Sequence, residues 1–282
     1  MKKFFAEILD FLDMEMTTPE PYGAFHICFV IITILSCYLL CRFYPRPSEK
    51  TLRKLLLIYA LVCIGFEIYK QIVFTFGINE SGEIVSSYQW YAFPFQFCSI
   101  PMYVALLAAV IPNKKFMNGA ISFLATFGVI AGILVMALPT TVFIDTIGIN
   151  IQTMVHHGGQ IVIGVFLLAR GGACKSLGAE LGGIAFFLSA VGCALLLDFT
   201  VIHILPEGTI FDMFFLSPYF DTSLPVFVNI EPHVSFPVFV ILYTIPFITV
   251  SLIVYQCKTV ILRHRAKNSK KIKSTKSLRT EV

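Results

Sequence analysis

Cys98 and the adjacent pair His156 and His157 stand inside otherwise apolar runs, with Glu67, Lys70 and Asp198 in comparable settings. A thiol and an imidazole are the minimal nucleophile–base pair for covalent acyl chemistry. The thiolate is the attacking species, and a thiol shielded from water ionises reluctantly. An imidazole within hydrogen-bond reach is therefore needed to take its proton. Glu67 or Asp198 would orient that imidazole as the third member of a triad does, and Gln96 or Gln160 would donate to a carbonyl oxyanion. Gln152, His156, Gln160 and Gly164 recur at every fourth position. They form one polar stripe on a helix and favour His156 as the base. Glu67 and Lys70, three residues apart on one helical face, equally fit a pair that only neutralises itself.

The elements that must hold these residues are membrane-spanning. Of the 282 residues 57% are hydrophobic and only 13% charged, against about a quarter charged in soluble domains. The expected fold is an all-α polytopic bundle of about seven spans, near 22–43, 52–77, 90–112, 116–138, 150–169, 177–202 and 235–262, each roughly 20 residues. Ahead of them, residues 1–20 read as an interfacial amphipathic helix. It sets Phe4, Phe5, Ile8, Leu9 and Leu12 against Glu7, Asp10 and Asp13, and ends at Pro19 and Pro21. The transmembrane domain covers 22–262. Between its last two spans, residues 203–234 form an outer loop or a lid dipping into the interface. A basic tail, 263–282, follows, read as solvated and able to meet anionic lipid.

Basic residues fix the expected orientation. Arg42, Arg46, Lys50, Arg53 and Lys54 cluster in the first connection, Lys114 and Lys115 in the third, and Arg170 and Lys175 in the fifth. The second, fourth and sixth connections hold acids instead, among them Glu80, Glu83, Asp145, Glu207 and Asp212. The amino terminus is expected outside and the carboxyl tail inside. The eight cysteines lie mostly in apolar runs and match neither a disulfide framework nor a zinc site. Gly128 with Gly132, and Gly178 with Gly182, have the small-xxx-small spacing that suits close helix packing.

With the topology so fixed, Cys98 lies roughly 12 Å below the outer end of its span and the histidines about 9–11 Å below theirs, at about 1.5 Å per residue. Glu67, Lys70, Asp198 and His26 fall in the same outer half, and Glu180 alone lies near the inner end. Ionisable groups in a bilayer are costly, so a common depth suggests one polar cavity opening outward or sideways.

The segments GFEIYKQ (65–71), FPFQFCSIPMY (93–103), VHHGGQIVIGVFLLARGG (155–172) and FDMFFLSPYFDTSLP (211–225) resemble the YwaF-like integral membrane family, which includes the eukaryotic transmembrane protein 164. The resemblance implies a cysteine-dependent phospholipid acyltransferase moving a fatty acyl chain onto a lysophospholipid. It places the nucleophile on Cys98 and ranks His157 before His156 as its partner. Around Cys98 the run FQFCS is less polar than in the animal member. Membrane phospholipids are the implied partners, with no nucleic acid, metal or soluble cofactor. The membrane is the cell membrane in a bacterium and an endomembrane in a eukaryote. The alternative is a proton- or ion-coupled transporter, or a small-molecule-binding membrane protein with no acyl chemistry, using Glu67, Lys70, Asp198 and the histidines. No inverted repeat between halves supports that alternative.

Overall fold

The computed structural model describes residues 2–139 and 142–280; the side chains of the basic tail beyond His264, and with them its expected lipid contact, lie outside the described residues. The chain is a helical bundle: α1 (Lys2–Leu12), α2 (Ala24–Phe43), α3 (Glu49–Val73), α4 (Ile100–Val110), α5 (Lys114–Phe123), α6 (Val129–Ala137), α7 (Ile147–Phe166), α8 (Leu177–Val201) and α9 (Phe236–Thr280). Among the described residues six helical stretches are long and apolar enough to cross a membrane, α5 and α6 forming one of them.

The third expected span is where structure and expectation differ. Residues 90–112 contain only the eleven-residue helix α4, preceded by a short 3₁₀ turn (Trp90–Ala92) and irregular backbone. Two prolines explain this. Pro94 pushes Phe93 out of the helical region, and Pro101, near the start of α4, is tolerated there but would clash with the carbonyl four residues back in a longer helix. Cys98 therefore lies in a turn inside the bundle.

Local signals set the other ends. Ser48, Asn113 and Ser176 accept backbone N–H bonds as N-caps of α3, α5 and α8. Arg53 on α3 pairs with Glu49 and donates to the carbonyls of Ala108 and Ile111 at 2.9 and 2.8 Å. A cation there closes the carboxyl end of α4 and fixes the antiparallel α3–α4 hairpin. A π-turn, Leu124–Gly128, joins α5 to α6, and a second, Leu167–Gly171, ends α7 with Gly172 left-handed at φ 79°. Gly82, also at positive φ, closes a small hairpin of β1 (Phe76–Ile78) and β2 (Ile84–Ser86) that the sequence did not suggest.

The core runs through α4, the α5–α6 stretch, α7 and α8, filled by Phe123, Phe127, Phe166 and Phe187. Helix α2 is apolar on all sides and largely exposed, with Ile31, Ile34, Leu35 and Phe43 among its outward residues. Such a helix is stable only in lipid. Close backbone contact occurs where glycines permit it: a Cβ on Gly119 would stand 3.1 Å from the backbone of Gly182, and one on Gly132 would stand 2.7 Å from the carbonyl oxygen of His157. Gly178 faces open space, so only one residue of that pair brings helices together.

Candidate functional site

Cys98 is half-buried, and its carbonyl is the hub of the polar interior. It accepts hydrogen bonds from His156 Nε2 at 2.8 Å and from Gln160 Nε2 at 2.6 Å. A carbonyl only accepts, so His156 carries its proton on Nε2 and presents Nδ1 as a bare lone pair. His157 donates from Nδ1 to the carbonyl of Thr153 at 2.8 Å, leaving its Nε2 bare by the same argument. The two rings lie 5.6 Å apart, centre to centre. Both α7 stripe residues thus reach the residue that bears the thiol through its backbone.

Helix α3 faces this hub with Tyr59, Cys63 and Glu67, spaced four apart on one side. A Cβ on Gly159 would meet the Tyr59 ring at 3.3 Å, so this stripe packs against α7 between His156 and Gln160. Glu67 is 6% exposed, pairs with Lys70 at 2.7 Å and accepts from Gln71 Nε2 at 2.8 Å. Gln71 in turn donates to the Ala92 carbonyl and accepts from the Tyr88 hydroxyl at 2.7 Å. The charges of Glu67 and Lys70 reach both Cys98 and His156. Beside them a groove of about 430 Å³ lies between α3 and the 94–103 segment, walled by Ile64, Ile68, Ile72, Phe76, Pro94 and Met102, with Glu67, Gln71, Thr75 and Tyr103 as its polar residues. Ile68 and Phe76 on its rim are exposed. That size lies within the range of small-ligand sites.

Gln96 and Asp198 serve a different element. Gln96 donates to the Asp212 carbonyl at 2.8 Å and accepts from the Phe214 N–H at 3.1 Å, while Asp198 accepts from the Met213 N–H at 2.8 Å. They hold the 203–234 segment, whose Phe211, Met213, Phe214 and Leu216 are fully buried in the core. Phe214 and Phe215 adopt positive φ of 62° and 57°, a conformation bulky residues rarely accept. Burial pushes the Asp212 carboxyl up to about 6; the Ser217 N–H opposes that shift and the Glu231 charge adds to it. His26 also lies apart from the hub: it accepts from the Tyr22 N–H and donates to the Met136 carbonyl at 2.9 Å, closing the end of α6.

Among the described residues seven buried side-chain polar atoms lack a hydrogen-bond partner; four of them, Tyr59 OH, Glu67 Oε2, His156 Nδ1 and Gln160 Oε1, belong to the facing stripes of α3 and α7, and His157 Nε2 is a fifth, on the residue next to His156. Buried polar groups are normally paired, so their concentration here makes this region the candidate site. Tyr59 was not foreseen. Its four-residue spacing from Cys63 and Glu67 is present in the sequence, but a tyrosine in an apolar run reads as packing. Among the described residues no cluster of three or more His, Cys, Asp or Glu could hold a metal ion.

Neither a curated protein nor a solved structure matches the chain. The sequence signature of the TMEM164 family, in contrast, matches residues 21–255. That stretch contains α2 to α8 and the apolar part of α9, and so every residue of the site. A multi-pass membrane protein with this signature over most of its length belongs to the TMEM164 family.

Proposed function

We propose that the chain is a membrane-embedded lipid acyltransferase that moves a fatty acyl chain between a phospholipid and a lysophospholipid through a thioester on Cys98. The observation that carries the reading is the pair of hydrogen bonds by which His156 and Gln160 hold the Cys98 carbonyl, with the bare Nδ1 of His156 and Nε2 of His157 nearby and an apolar groove lined by Glu67 beside them. The groove suits one acyl chain, entering past Ile68 and Phe76. Basic-residue placement supports an outside amino terminus, so the lipid would enter from the outer leaflet.

In the first half-reaction an imidazole takes the thiol proton and Sγ adds to the ester carbonyl. Collapse breaks the ester C–O bond, and the leaving alkoxide recovers the proton. In the second half-reaction the same imidazole deprotonates a lysophospholipid hydroxyl, which attacks the thioester; the C–S bond breaks and the Cys98 thiolate takes the proton back from the imidazolium. Glu67, tied to Lys70, sets the local charge, while Gln160 and His156 hold the Cys98 backbone. No step calls for a metal or a soluble cofactor.

The test is thioester capture from a labelled acyl phospholipid by purified protein in lipid, wild type against Cys98→Ala. The reading requires hydroxylamine-sensitive label on the wild type and none on the variant. Label that survives the substitution would sink it. A proton- or ion-coupled transporter would instead lose flux in Glu67→Gln and keep it in Cys98→Ala.

A further inference from the structure

An acyl-transfer site needs a donor aimed at the oxygen that becomes negative, and most of the side-chain donors near Cys98 are engaged elsewhere. The Gln160 amide and the His156 N–H are both on the carbonyl of Cys98 itself. His157 donates to Thr153, Lys70 to Glu67, and Gln96 to Asp212 and, at 3.4 Å, to Tyr91, and the buried Ser99 hydroxyl is taken by the Cys98 thiol itself. Of the seven unpartnered buried atoms, six are carboxylate, amide-oxygen or bare imidazole acceptors; the hydroxyl of Tyr59 is the one neutral donor. The Cys63 thiol, one turn along α3, is its close neighbour, and Cys98 also lies within its electrostatic reach. The Tyr59 ring packs at Gly159, next to the Gln160 whose amide holds the Cys98 carbonyl. Buried phenols usually find a partner in the folded state.

We propose that Tyr59 is a further catalytic residue, its hydroxyl donating a hydrogen bond to the oxyanion formed when the Cys98 thiolate adds to the ester carbonyl. This rests on the acyl-transfer reading of the same site. As the Sγ–C bond forms, the carbonyl π pair moves onto oxygen and Tyr59 O–H stabilises it. Collapse returns the pair to the C=O bond and expels the alkoxide. Tyr59 keeps its proton throughout, and the leaving oxygen takes the one held by the imidazolium. A donor in a site shielded from water, aimed before the reaction begins, is worth far more than the same group in solution.

Tyr59→Phe removes one oxygen and leaves the ring in place. Two rates would be read on full-length protein in phospholipid vesicles carrying a labelled oleoyl chain. One is thioester formation; the other is alkylation of Cys98 by iodoacetamide, followed on its own peptide by mass spectrometry. Alkylation displaces iodide at a saturated carbon and builds no oxyanion. The expected result is thioester formation slowed about 10²–10³-fold with alkylation at the wild-type rate. Unchanged thioester formation overturns the proposal. So does a parallel loss of both rates, which would make Tyr59 a packing residue. Cys98→Ala in the same assay separates the two levels. If its label persists, the acyl-transfer reading falls and the Tyr59 role falls with it. If it is unlabelled while Tyr59→Phe is fully active, only the Tyr59 role falls.

Discussion

His156 and His157 are neighbours in sequence, yet their hydrogen bonds give them different work. His156 uses Nε2–H to hold the Cys98 carbonyl, so substituting it also disturbs the turn that carries the thiol. His157 is anchored to its own helix through Thr153, and its free Nε2 has no structural duty. Within the proposed acyl transfer we therefore propose His157 for proton transfer and His156 for positioning, and isosteric amides separate the roles. A glutamine at 156 can still donate to the carbonyl from its terminal amide, and an asparagine at 157 can still reach Thr153, but neither is a base at neutral pH. His157→Asn is expected to lower the acyl-transfer rate about 10²–10⁴-fold, and His156→Gln is expected to stay within about tenfold of wild type, allowing for a loss near 1 kcal/mol in one hydrogen bond. Steady-state rates on one labelled lipid decide it; the reverse order would exchange the two assignments.

At the scale of elements, the site depends on how closely α6 and α7 approach. Gly132 sits where a methyl group would meet the His157 carbonyl at 2.7 Å and Ile161 at 2.9 Å. Gly132→Ala must move α7, with a stability loss of about 1–3 kcal/mol and slower transfer. Gly178→Ala, with nothing near its Cβ, is expected to fall within about 0.5 kcal/mol of wild type. Thermal unfolding in one detergent compares the pair; equal midpoints would refute the packing argument. The sequence carried the long spans well, because a bilayer demands apolar runs of nearly fixed length whatever their neighbours. It carried α4 poorly, since the apolar run 90–112 looks continuous and only Pro94 and Pro101 betray the break. The i, i+4 stripe of α7 was legible as a polar face. What that face bonds was not, because a hydrogen bond from His156 to a backbone carbonyl 58 residues away leaves no trace in either segment. Gln96 and Asp198 were legible as polar groups in apolar runs, while their partner, the backbone of 212–214, could not be read from side-chain types.

Over the whole molecule, the 203–234 segment plugs one end of the bundle, joined to it by the Gln96 and Asp198 hydrogen bonds and by four buried apolar side chains. Asp212 makes that plug sensitive to pH. Its carboxyl in the folded loop titrates near 6, above the ordinary value of about 3.9, so docking favours the protonated acid. The stability this contributes is fully present below the ordinary value and is lost as pH rises through about 6. Amide protection across 211–217, corrected for intrinsic exchange, should therefore fall as pH rises from about 5 to about 7, and Asp212→Asn should abolish the fall by keeping the Ser217 acceptor without the charge. Equal pH dependence in the two proteins would remove Asp212 from the account. The brevity of α4 bears on how the chain is made. Eleven residues reach only about 16 Å along a helix axis, roughly half the hydrocarbon core of a bilayer. A segment that short is a poor stop signal for the insertion machinery when it emerges alone. Arg53, bonded to the carbonyls at the far end of α4, ties it to a helix synthesised earlier and long enough to span.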